Sequence, residues 1–130
     1  MPSVTKDQVK IINATDYATL AHGASTTLAN CTPIDLTKAA SCVLAIRAGT
    51  IPDTITIKLY ASSDGTTYDA TPWSPNTTWA SGWTSTTTVE DEHSPEIPVA
   101  PKYLKITVTN DDGADNVVDL VVYSIVQTVG

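Results

Sequence analysis

Apolar and polar residues alternate most strictly from Thr54 to Leu59, where Ile55, Ile57 and Leu59 share one side and Thr54, Thr56 and Lys58 the other. A period of two is that of an antiparallel strand with one face on a core and one in water. The strand runs into Ala61-Ser62-Ser63-Asp64-Gly65, and Asp64-Gly65 supplies the positive φ that a tight reversal needs. The same grammar returns where Leu104, Ile106 and Val108 alternate with Tyr103, Lys105, Thr107 and Thr109, and residues 110–116 make a second reversal. Ser41 to Ala48 predicts a further strand with Cys42, Leu44 and Ile46 on one side, and Arg47 pointing away beside Val43 and Ala45.

Val117 to Val126 predicts a strand of ten residues that is apolar on both faces. Val118, Leu120, Val122 and Val126 fall on one side, Val117, Val121, Tyr123 and Ile125 on the other, so the strand is central or covered by another subunit. Shorter extended pieces are expected from Thr26 to Ile34, broken by Pro33, at Ile34 to Leu36, and at Thr86 to Val89. Residues 1–25 are polar, with Val9, Ile11 and Ile12 as their apolar patch, and predict an N-terminal arm or edge strand. Between Asp69 and Pro101, five prolines at 72, 75, 95, 98 and 101 exclude a helix and any long central strand, leaving a long Pro/Trp loop. The expected fold is therefore all-β: a single antiparallel β-sandwich, jelly-roll-like, over residues 26–130, preceded by the arm.

Threonine fills about one position in six, a bias toward β-branched residues that suits extended strands. A length of 130 residues fits one domain with a real core. The net charge is −7 with Arg47 the single arginine and the lysines scattered, which argues against nucleic acid and against an anionic membrane as partners. No apolar run reaches the roughly 20 residues of a membrane-spanning helix. The opening residues lack the basic and apolar regions of a secretory signal, so a cytosolic site of synthesis is expected. Cys31 and Cys42 lie on segments that could be neighbouring strands and so could form a disulfide, but in that reducing compartment two buried free thiols are the first expectation, and two thiols are too few for a structural zinc site.

Candidate chemistry is sparse. Trp73, Trp79 and Trp83 stand in one Pro/Ser/Thr-rich segment, where indole rings either anchor the loop against protein or stack on sugar faces. Asp111, Asp112 and Asp115 crowd one turn with Asn110 and Asn116, but their spacing is not that of a calcium loop, and Asx residues with Gly113 read first as a hairpin turn. Glu90-Asp91-Glu92-His93 reads as a solvated acidic stretch, since consecutive extended residues point in different directions. His22 has no local carboxylate or cysteine partner, and no nucleophile, metallopeptidase or phosphate-loop motif occurs. No catalytic residue, metal site or cofactor is expected, and the protein is not expected to be an enzyme.

At Ala61-Ser62-Ser63-Asp64-Gly65-Thr66-Thr67-Tyr68-Asp69, and again at Pro101-Lys102-Tyr103-Leu104-Lys105-Ile106-Thr107-Val108, the chain resembles small β-sandwich structural proteins of tailed bacteriophages. In these a strand V-x-V-x-L runs into S-x-D-G-x-x-F/Y, and a later P-K/R-Y/F strand completes the core. The resemblance covers about half the chain. It implies a virion component assembled in the host cytoplasm: a capsid cement or decoration protein, or a head–tail or tail-associated protein, with the major capsid protein or other virion proteins and further copies of itself as partners. Interface residues would then include the three tryptophans and Val117, Val121, Tyr123 and Ile125. The competing function is a glycan-binding module that uses the tryptophans.

Overall fold

The computed structural model describes residues 4–49, 55–71, 78–81, 91–93 and 96–129, with backbone alone described at 78–81 and 91–93. Among them the chain is all-β, built of antiparallel sheets. The strands are β1 (Val4–Ile12), β2 (Thr19–Leu20), β3 (Ile34–Asp35), β4 (Ala39–Ala48), β5 (Ile55–Ser62), β6 (Thr78–Ser81), β7 (Asp91–His93), β8 (Glu96–Ile97), β9 (Tyr103–Asn110), β10 (Val117–Val118) and β11 (Val121–Val129).

One sheet has the order β1-β11-β4-β7, with β8 also paired to β4; a second has the order β3-β9-β5-β6; β2 and β10 form a separate pair. The strictest alternation in the sequence is where the core lies. Ile55, Ile57 and Leu59 of β5, Leu104, Ile106 and Val108 of β9, and Leu44 and Ile46 of β4 are all buried in one cluster with Val122 of β11. The two larger sheets thus turn their apolar faces into a common core, whose burial is the main force holding them.

Val4–Ile12 is an edge strand along β11, exposed until Ile11 and Ile12 enter the core past a register shift. Lys6, Asp7 and Lys10 keep charges on that edge, which discourages further strand addition.

Three local expectations change. The ten-residue strand from Val117 is interrupted: Asp119 takes φ 55, so β10 ends at Val118 and β11 begins at Val121. The kink resets the alternation, and Val117 turns into the core with Leu120 while Val118 is exposed. Thr26 to Ile34 is not a strand but holds a 3-10 turn at Leu28–Asn30. Tyr17 fastens this turn, its hydroxyl oxygen accepting the Thr27 N–H at 2.9 Å and the Asn30 side-chain N–H at 3.2 Å. Within the segment expected as one long loop, Thr78–Ser81, Asp91–His93 and Glu96–Ile97 are strands lying between the prolines. Thr86 to Val89 falls outside the described residues.

Candidate functional site

Residues directly opposite across an antiparallel pair share a face, so register defines the outer surface of the five-stranded sheet. Val122 and Ser124 of β11 are buried, which leaves Val121, Tyr123 and Ile125 facing outward, each half-buried. In the same rows lie Arg47 opposite Val121, Ala45 opposite Tyr123, and Val43 opposite Ile125. On the far side of β11, Lys10 stands opposite Tyr123, Gln8 opposite Ile125 and Lys6 opposite Gln127. The Lys10 ammonium sits 5.8 Å from the centre of the Tyr123 ring, close enough for the ring to share its charge. At the other border Glu96 of β8 is exposed and opposite Val43. The surface is therefore a largely apolar centre, with Arg47 at one end, between an edge carrying Lys6 and Lys10 and an edge carrying Glu96.

Of the residues singled out from sequence, Val121, Tyr123 and Ile125 come together here. Val117 does not, being fully buried. Trp79 lies on the other sheet, its backbone paired with Ile57. Trp73 and Trp83 lie outside the described residues. Lys6, Gln8, Lys10, Val43, Ala45 and Glu96 join the surface through strand register alone. Their only sequence signal was outward parity on β4 and the alternate lysines of β1.

The turns use their polar groups internally. The Ser62 hydroxyl accepts the Gly65 N–H at 2.9 Å, and Asp64 Oδ1 accepts the N–H groups of Thr66 at 2.8 Å and Thr67 at 2.9 Å. Those bonds hold the Asp64 carboxyl below its usual range. Gly65 has φ 79, a left-handed conformation that favours glycine, and a Cβ there would rest against the Tyr103 ring at 3.4 Å. The second reversal is closed by Asp112 Oδ1, which accepts the Ala114 and Asp115 N–H groups at 2.7 Å each. The hydrogen bonds from Asp115 and Ala114 lower its pKa. Behind it Asn110 is fully buried, donating Nδ2–H to the carbonyls of Leu20 and Asp115 at 3.0 Å and accepting the Asp112 N–H at 3.0 Å. This is a hairpin turn organised by its own side chains. Among the described residues no group of three or more His, Cys, Asp or Glu is placed to hold a metal ion, and no helix is long and apolar enough to cross a membrane.

Cys31 and Cys42 are buried free thiols. Burial pushes each up from 9.0 to about 11, which leaves them protonated and poor nucleophiles at neutral pH. Between Asp7 and Val9 of β1, Ser124 and Val126 of β11, and Pro33 to Lys38, a groove of about 380 Å³ opens where the edges of the two sheets part. No protein family, curated protein or solved structure matches the chain.

Proposed function

We propose that this chain is a non-enzymatic structural protein of a virion, a capsid cement or decoration protein, and that it works by packing the outer face of its five-stranded sheet against neighbouring protein. The observation that carries the proposal is the row of half-buried Val121, Tyr123, Ile125 and Val43 on the outward face of the sheet, apart from the core cluster that the inward face joins. An apolar centre with a charged rim is the anatomy of an association surface.

The strand pairing supports a jelly-roll β-sandwich as the scaffold. With β7 and β8 counted as one broken strand and the β2/β10 pair set aside, the eight remaining strands pair first with last, second with seventh, third with sixth and fourth with fifth. That is a long hairpin rolled up into two sheets, an architecture that serves both capsid and lectin domains. Fold alone does not separate those roles. The resemblance of the Asp64-Gly65 turn and the Tyr103 strand to phage structural proteins favours the capsid.

Copurification with particles tests the proposal. The protein is expected in near-stoichiometric ratio to a shell subunit, and Tyr123→Glu with Ile125→Glu is expected to lower its occupancy strongly while circular dichroism stays that of a β protein. Absence from heads, with presence in tails, would move it to a tail-associated role. Saturable oligosaccharide binding that is lost on Trp79→Ala, with folding intact, would replace the proposal by a glycan-binding module.

A further inference from the structure

We propose that a second copy of this chain covers the outer face of the five-stranded sheet, in a two-fold dimer whose axis runs along the strands between β11 and β4. This rests on reading that face as an association surface and names its occupant. It does not depend on the particle.

Four strands lie side by side in the order β1, β11, β4, β8. The outward residues run, across one row, from Gln8 through Ile125 and Val43 to Glu96. The next row on one side runs from Lys10 through Tyr123 to Ala45, and on the other from Lys6 through Gln127 to Ser41. Lys6, Lys10 and Glu96 are exposed. One border therefore carries two lysines and the opposite border a glutamate, while Arg47 ends the central rows opposite Val121.

Two copies packed face to face by a two-fold must have the axis in the plane of the interface. If it runs across the strands, β1 lies over β1, and lysines meet lysines while Glu96 meets Glu96. If it runs along the strands, each β1 lies over the partner's β8 and each β11 over the partner's β4. Rows keep their level, so Glu96 of one copy falls between Lys6 and Lys10 of the other, at both borders. In the centre the same operation sets Tyr123 over Ala45, Ile125 over Val43 and Val121 over Arg47, a larger side chain against a smaller one in each pair. Charge and shape select the same axis. The twist of each sheet would turn the two sets of strands by about 30° from parallel.

Charge placement matters here because two chains of net charge −7 repel at long range. The area is small: four strands by seven residues give on the order of 400 Å² per copy, about 800 Å² in all, which is less than a stable interface buries and suits a weak, transient one. The dimer is accordingly a concentration-dependent one that salt weakens.

Sedimentation equilibrium of the full chain tests this with two charge variants. The wild-type protein is expected to pass from monomer to dimer as concentration rises. Lys6→Glu with Lys10→Glu makes both borders acidic, and Glu96→Lys makes both basic; each alone is expected to weaken the dimer about tenfold or more. An equimolar mixture of the two variants regains opposite charges at both borders and is expected to restore it, which also shows that both variants are folded. A wild-type protein that stays monomeric throughout overturns the proposal, as does a dimer that neither variant weakens, the result expected of pairing along the free edge of β1. Neither result bears on copurification with particles, so the dimer and the virion role fail separately.

Discussion

The sulfur of Cys31 accepts the backbone N–H of Ile106 at 3.4 Å, so a side chain stands where the carbonyl of a neighbouring strand would otherwise be. Thr26 does the same two residues on, its hydroxyl accepting the Val108 N–H at 2.9 Å while its own N–H donates to the Val108 carbonyl at 2.9 Å. Together they finish the edge of β9 beyond the short β3. Cys31→Val keeps the volume but leaves the Ile106 N–H buried without an acceptor, and is expected to cost about 1–3 kcal/mol. Cys31→Ser retains an acceptor and should cost less. Urea unfolding of the two variants, compared at equal slope, checks the order.

The same burial sets an alkaline limit. In the unfolded chain each thiol ionises near 9.0, in the folded chain near 11, so the folded state favours the proton. The stability this contributes is whole below pH 9 and falls as pH rises from 9 toward 11. A Cys31→Ser, Cys42→Ala double variant is expected to show a shallower loss over that window. Both thiols of the native protein should also resist alkylation at neutral pH until the chain is unfolded.

Core positions were legible because a period of two needs no knowledge of partners: Ile57 and Ile106, placed inward from alternation alone, are both buried. Truncating either to Ala is expected to cost about 2–5 kcal/mol in equilibrium unfolding. What alternation does not carry is register between distant segments. Lys10 meets Tyr123, and Glu96 meets Val43, across chain separations that no local pattern spans. Nor does hydropathy show a backbone kink. Asp119 was visible only as the polar interruption in an apolar run, yet its left-handed conformation moves Val117 from the expected outer face into the core. The 3-10 turn at Leu28–Asn30 was hidden for a similar reason, since its Tyr17 anchor lies ten residues before Thr27.

Asp119 therefore has a conformational test. Its φ of 55 suits glycine and is poor for a β-branched residue. Asp119→Gly is expected to leave thermal stability unchanged or raised, and Asp119→Val to lower it by roughly 1–3 kcal/mol. Equal effects of the two would mean that the carboxylate, not the backbone, is what matters at this position.

Asn110 is the polar group on which the second reversal is built. Its amide donates to two carbonyl oxygens, so Asn110→Asp replaces a donor with a charge facing acceptors. That variant is expected to be destabilised by more than Asn110→Ala at neutral pH, and to recover part of the difference in acid, where a protonated carboxyl can donate one bond. Denaturation of both variants at pH 7 and pH 4 reads the sign directly.

The pairing of β1 with β11 has a consequence in time. A ribosome adds about 5–20 residues per second, so the segment Val4–Ile12 waits several seconds for Val121–Val129, the strand that lies between it and β4. Until then Val9, Ile11 and Ile12 have emerged with no strand to receive them, and one side of β4 is open as well. A nascent chain stalled before Val121 therefore presents two unfinished borders at once, to chaperones or to other nascent copies. Of the described strands, the last to be synthesised is the one that closes the sheet, and the interval before its arrival is when these strands are most exposed to wrong partners.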